Sequence, residues 1–211
     1  MIVSLNEVES LSLKAARGAG MSWGLAEEAA HAARWLAARG WAWDRSLVAL
    51  LERRNQIAAP MKAGHDIRSR QGLAICPIHA GAAMADLLHV HESVTLYDVL
   101  SPIWLVPFAH RRTGEHRSVE VTWSGGACSI SAGGAGGAEA LGIQDAPLDW
   151  IRVELKVDVI SRPSAADVIP AGVAADPAVW AALEQWAART YVPASLQSRL
   201  AGAGAGLSDN D

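Results

Sequence analysis

The apolar residues of this chain recur every three to four positions up to about His91 and every second position beyond it. An amphipathic helix repeats near 3.6 residues and a half-buried strand repeats at 2, so a chain that carries the two periods in separate blocks is expected to fold as an α+β protein. In the second block Ile151, Val153, Leu155, Val157 and Val159 alternate with Arg152, Glu154, Lys156 and Asp158. That is the pattern of a strand with one wet face, and it argues against an all-parallel sheet.

Local signals divide the first block into helices. Ser4 and Glu7 form a capping-box pair, Leu5, Val8, Leu11 and Ala15 follow at helical spacing, and Gly18 and Gly20 stop the run, which predicts a helix over 5–17. Ser22 caps a second helix that carries Glu27 and Glu28 in its opening turns and ends at Arg39-Gly40. A third is expected from an Asp44 cap, with Leu47, Leu50 and Leu51 inward, ending through Arg53 and Arg54 toward Pro60. Residues 61–72 are polar and aperiodic and are expected to form a long surface loop. Pro77 opens a short helix over 78–88.

The second block contains β-rich stretches at 94–100, 103–109, 118–123 and 128–131, the last two joined by Ser124-Gly125-Gly126-Ala127 as a tight antiparallel hairpin. Asp176-Pro177 opens a closing helix with Val179, Leu183 and Trp186 on its buried stripe. After Pro193 a short helix to Leu200 and a Gly-rich acidic tail are expected. The whole reads as one domain over 1–211: a three-helix unit (1–60), a mixed segment (61–92), a central antiparallel β-sheet (93–161), and a C-terminal helix with tail (162–211).

Composition narrows the function classes. At 211 residues the chain is long enough to bury about 70% of its unfolded surface. Its net charge of −4 leaves no basic surface of the kind that displaces counterions from nucleic acid, so no nucleic-acid partner is expected. No unbroken apolar run suits a membrane span, and the acidic, amphipathic start lacks the pattern of a signal peptide. The expectation is therefore a soluble cytoplasmic protein, with Cys76 and Cys128 as thiols rather than a bridge. Nine Trp against one Phe and two Tyr make the indoles the residues that must shape a core or a pocket.

The start of the chain carries Ser4-Leu-Asn-Glu-Val-Glu9, Ala15-Ala-Arg17-Gly18-Ala-Gly20, Ser22-Trp23-Gly24-Leu-Ala-Glu27-Glu28 and Ala33-Arg34-Trp35-Leu36. Its close carries Tyr191-Val192-Pro193-Ala194-Ser195, Ser198-Arg199, the glycine tail and Asp209-Asn210-Asp211. In these residues the chain resembles an uncharacterised, mostly proteobacterial domain-of-unknown-function family. The resemblance implies a short stand-alone bacterial protein and brings no activity with it.

The candidate site is read from the second helix and its start. Arg17, the turn Gly18-Ala19-Gly20 and Trp23 would seat a carboxylate or phosphate beside the helix N–H groups, with Glu27 or Glu28 as a base. On the polar arc of the helix, Trp35 lies among Glu28, His31, Arg34 and Arg39 and needs cover from the chain, a partner or a flat ligand. Arg17, Trp23, Glu27, His31, Arg34 and Trp35 are thus expected to line a pocket for a small anionic metabolite, closed by the C-terminal tail. An enzyme or enzyme subunit is the favoured class, and the sequence leaves the cofactor undefined.

Two alternatives stand beside it. Trp35, Trp41 and Trp43 could form an exposed aromatic patch that docks onto a protein partner or a second copy. Cys76-x-x-His79 and His89-x-His91, with His65 or His110, could hold a metal, although the set lacks a full ligand signature. The run Gly133-Gly134-Ala-Gly136-Gly137 fits neither nucleotide-binding spacing, and no local motif marks either cysteine or Ser124 as a nucleophile.

Overall fold

The computed structural model describes residues 1–69, 73–88, 91–111, 118–123, 126–131, 134–136, 153–160 and 170–191. Among these, α1 (Leu5–Gly18), α2 (Trp23–Ala37) and α3 (Trp43–Glu52) form the helical start. The Ser4 hydroxyl accepts from the Glu7 N–H at 3.2 Å and the Glu7 carboxylate accepts from the Ser4 N–H at 2.7 Å, so the expected capping box is made in full. That backbone N–H and the Ser4 hydroxyl hold the Glu7 carboxyl below its ordinary range. Ser22 caps α2 as expected. Asp44 does not cap α3: the cap position is Ala42, and Asp44 accepts instead from the N–H groups of Arg45 (2.8 Å) and Asp176 (3.5 Å).

Val8, Leu11, Ala15 and Ala16 of α1 are buried with Ala26, Ala29, Ala33 and Leu36 of α2. The small side chains let the two backbones approach closely. Ser12 of α1 is fully buried, with its hydroxyl unpartnered among the described residues. Because an unmet buried hydroxyl costs stability and alanine is the better helix former, Ser12→Ala is expected to raise stability by roughly 1 kcal/mol. A urea midpoint lower than wild type would mean that the hydroxyl has a partner after all.

The other helices are α4 (Pro77–Leu87) and α5 (Val106–His110), which pack on each other and on α2, and the closing α6 (Pro177–Ala188), which packs on α1 and α3. Asp176 caps α6 by accepting from the Ala178 N–H at 2.9 Å, and that bond, aided by Arg45, holds its carboxyl below the usual range. Residues 103–109 form a 3-10 turn (Pro102–Leu105) and α5 rather than the expected strand. Ile103, Trp104, Leu105, Val106, Phe108 and Ala109 are all buried, and a segment covered on every side shows no period from which helix and strand can be told apart.

The strands are β1 (Ile2–Val3), β2 (Ile57–Ala58), β3 (Pro60–Ala63), β4 (Asp66–Ser69), β5 (Ala74–Ile75), β6 (Ser93–Val99), β7 (Ser118–Trp123), β8 (Gly126–Ser131), β9 (Gly134–Gly136), β10 (Val153–Ile160) and β11 (Val173–Ala174). The main sheet runs β2-β5-β6-β10-β7-β8-β9, and β10 lies antiparallel between β6 and β7. β7 and β8 pair antiparallel, with Trp123 opposite Gly126, as the expected hairpin requires. The antiparallel expectation holds from β6 to β9, but β2–β5, β5–β6 and β4–β6 are parallel. The expected loop over 61–72 contains an antiparallel β3–β4 hairpin instead. In β4 only Ile67 is buried, too little burial to give an alternating signal. The short helix and acidic tail expected after Pro193 lie outside the described residues.

One irregularity in β6 has a packing reason. Leu155 pairs with Leu96 and Val153 with Val99, so β6 carries one extra residue, and Asp98 there takes a φ of 57°. The bulge resets the alternation, and Val94, Leu96 and Val99 all face the core.

Candidate functional site

The six residues singled out along the first two helices do not come together at one place. Arg17 stands in the last turn of α1, donates to the Met21 carbonyl, and lies over the Trp23 ring at 4.5 Å. Trp23 is 63% exposed. His31 and Arg34 face α1: Glu9 accepts from Arg34 at 3.1 Å and stands 3.4 Å from His31 Nε2, while Arg34 also donates to Asn6 at 2.5 Å. Glu27 is exposed on the first turns of α2.

Trp35 is covered from within the chain. Arg39 lies 3.7 Å over its ring, Trp41 meets it edge to face at 5.8 Å, and His110 approaches to 5.3 Å. Beside it, Glu28 receives both arms of Arg111, one at 2.9 Å. The end of α5 therefore closes the polar arc of α2. Trp41 and Trp43 are 6% and 2% exposed, and Trp43 packs edge to face on Trp180. The exposed aromatic patch expected from Trp35, Trp41 and Trp43 is thus corrected: Trp41 and Trp43 are core, Trp35 is half-buried against it, and among the described residues Trp23 is the exposed indole.

A cavity of about 310 Å³ opens beside the turn between α1 and α2. Its first wall is that turn. The Met21 N–H bonds to the Ala16 carbonyl and the Gly20 N–H to that of Arg17, an ending that needs the left-handed φ of 91° at Gly20. Met21 and Leu25 supply the apolar surface there. The second wall runs from Arg54 and Asn55 through Ile57 to Ala59. Parallel pairing of β2 with β5, and a 3.2 Å bond from the Cys76 N–H to the Ala58 carbonyl, bring that wall against the start of α4. Cys76, Ile78 and His79 form the third wall.

The turn at Gly18–Gly20 and the pair Cys76-x-x-His79, read from the sequence as separate candidates, therefore share one cleft. Cys76 holds the cap position of α4 and is 8% exposed. Burial pushes its thiol pKa up, against the N–H groups of His79 and Ile78, so the thiol is protonated at neutral pH. Burial also lowers the His79 imidazole below its ordinary value, which leaves it uncharged at pH 7 and able to accept a proton.

Arg54 closes one side of the cleft, donating to the Leu51 carbonyl at 3.2 Å and lying 4.7 Å over the Trp186 ring. Arg189 lies over the same ring at 3.9 Å. The Trp186 carbonyl lies close against Gly18, so α6 meets the end of α1 at this point. Sequence reasoning missed Arg54, Asn55 and Arg189. Arg53-Arg54 read as an ordinary helix end, and only the spacing Trp186-x-x-Arg189 hinted that a guanidinium would stack there.

The metal candidates are brought together only in part. Cys76 and His79 share the cleft, His91 is exposed beyond α4, His65 pairs with Asp66 at 3.4 Å, and His89 lies outside the described residues. Among the described residues no group of three His, Cys, Asp or Glu side chains is placed to hold a metal ion. Among the same residues no helix is long and apolar enough to cross a membrane.

No curated protein matches the chain. The segment that builds α1 to α3, β2, β3 and two walls of the cleft does have a family match: residues 3–66 fit the model of a family described as "Protein of unknown function (DUF3726)".

Proposed function

We propose that the protein is a bacterial, cytoplasmic small-molecule enzyme, or a subunit of one, that takes an anionic metabolite into the cleft between the α1–α2 turn, residues 54–59 and the start of α4. The observation that carries this reading is the composition of the cleft. Apolar walls from Met21, Leu25, Ile57 and Ile78 meet a few convergent polar groups, Arg54, Asn55, Cys76 and His79. That mixture is typical of sites that bury a small ligand and orient it. Arg54 supplies charge for the anion, and His79, uncharged at neutral pH, is the group suited to take a proton from it. Of the residues expected from the sequence, Arg17 adjoins the cleft through the Met21 carbonyl, whereas His31, Arg34 and Trp35 are engaged elsewhere.

The test is thermal melting of the full chain against a panel of small carboxylates and phosphate esters. A ligand present at about 100 times its Kd stabilises by about 2.7 kcal/mol, which for a chain of this size raises Tm by roughly 5–10 °C. At least one anion should produce such a shift, and His79→Gln and Arg54→Gln should remove it while melting near wild type in the absence of ligand. No shift with any anion, or shifts that survive both substitutions, would overturn the assignment.

A further inference from the structure

We infer that the anion is a monocarboxylate with an apolar body, and that one edge of the Arg54 guanidinium holds its two oxygens. This deepens the reading of the cleft as the ligand site and rests on it. Among the described residues that line the cleft, Arg54 is the one full cation, and none of them is a carboxylate. Burial lowers the His79 imidazole below its ordinary value and leaves it uncharged at neutral pH. One positive charge is balanced by one negative charge. A phosphate monoester, at about −1.5 to −2, or a dicarboxylate would leave negative charge without a partner against apolar walls.

The bonding of Arg54 suits a carboxylate. Its face lies 4.7 Å over the Trp186 ring, and its Nη1 donates to the Leu51 carbonyl at 3.2 Å. Stacking uses the face of a guanidinium and leaves the N–H donors at its edge. Among the described residues no acceptor is bonded to the edge that carries Nε and Nη2. That edge presents two parallel N–H groups, the fork that takes both oxygens of one carboxylate.

The rest of the lining sets the body of the ligand. Met21, Leu25, Ile57 and Ile78 are apolar, Asn55 is exposed, and the buried Cys76 thiol is a weak hydrogen-bonding group. A ligand rich in hydroxyl groups would bury them without partners, whereas a hydrocarbon body gains by leaving water. At about 310 Å³ the cavity lies at the lower end of the range for small-molecule sites, roughly 300–1,000 Å³, so that body is short. A purely structural role competes for Arg54, since a cation just beyond α3 also offsets the helix dipole. That role predicts altered stability without altered anion affinity.

Calorimetric titration of the full chain with acetate, butyrate and hexanoate reads the apolar contribution, and adipate, a six-carbon chain with a carboxylate at each end, reads the charge. Affinity should rise about fourfold per added methylene, the worth of one buried CH₂. Adipate should bind about tenfold or more below hexanoate. Arg54→Gln, and Arg54→Lys, which keeps the charge and loses the fork, should each weaken butyrate and hexanoate by one common factor of about tenfold or more. Leu25→Ala should act the other way, reducing the gain per methylene. Equal affinity for acetate, butyrate and hexanoate, adipate binding as tightly as hexanoate, or hexanoate affinity unchanged in both Arg54 variants overturns the inference. If phosphate esters or dicarboxylates shift the melting of wild type but hexanoate does not bind, the monocarboxylate assignment fails and the cleft survives. If no anion binds, both fail.

Discussion

Gly18→Ala is expected to destabilise the protein by about 3 kcal/mol or more, lowering Tm by roughly 6–12 °C. A Cβ placed on Gly18 falls inside 3.0 Å of the Trp186 carbonyl oxygen and its carbon, and 3.5 Å from Cβ of Arg189. The obstacle is backbone, so no rotamer change relieves it, and α6 must move away from α1. The sign of the effect is diagnostic. Gly18 lies in the last turn of α1, and in an isolated helix the same change would stabilise by up to about 1 kcal/mol. Thermal melting or a urea titration separates the two, and an increase in stability would show that α1 and α6 do not meet at this point. Because the Trp186 ring seats Arg54, which lines the cleft, the same substitution should also weaken anion binding there.

Trp104→Ala should cost about 3–5 kcal/mol, the range for deleting a buried aromatic side chain. Trp104 is among the largest fully buried side chains, and its Nε1–H donates to the Ser46 hydroxyl at 3.1 Å. Ser46 in turn lies within donating distance of the carbonyls of Ala42 (2.6 Å) and Trp43 (3.0 Å), so the contact ties the segment before α5 to the start of α3. Two milder changes divide the effect. Ser46→Ala strands a buried indole N–H and should cost about 1–3 kcal/mol, whereas Trp104→Phe removes the donor and leaves Ser46 bonded to its own helix, for a smaller loss from this hydrogen bond. Urea unfolding of the three variants gives the order. If Trp104→Ala costs no more than Ser46→Ala, the ring is not filling the core as assigned.

Much of the fold was legible because it depends on neighbours in sequence. The Ser4–Glu7 box, the Ser22 and Asp176 caps, the glycine stop at Gly20 and the hairpin pairing Trp123 with Gly126 are built from groups within a few residues of one another. Asp44 was the exception, since a carboxylate that suits a cap can serve an N–H more than a hundred residues away equally well. Ile103–Ala109 was read as a strand because burial on all sides removes the periodic signal. The β3–β4 hairpin was read as a loop because an edge pair with one buried residue has no apolar face to display.

The candidate site was less legible for the same reason carried further. Arg17 and the Gly18–Gly20 turn were visible as a charged helix end beside glycines, and Cys76 with His79 as a short spacing. That they share a cleft follows from the parallel pairing of β2 with β5, which no local pattern encodes. Trp35 stood on a polar arc in the helical projection, but whether α5, a partner or a ligand would cover it depended on where α5 lands.

What the sequence by itself determined is therefore the kind and extent of most elements, since caps, turns and apolar period act over short range. Tertiary structure alone decided the place of β10 between β6 and β7, the closeness of α1 to α6 at Gly18, and the seating of Arg54 on the Trp186 ring. Each of these joins residues far apart in the chain. Such contacts are selected by how whole surfaces bury apolar area and satisfy buried polar groups, and no single segment carries that information.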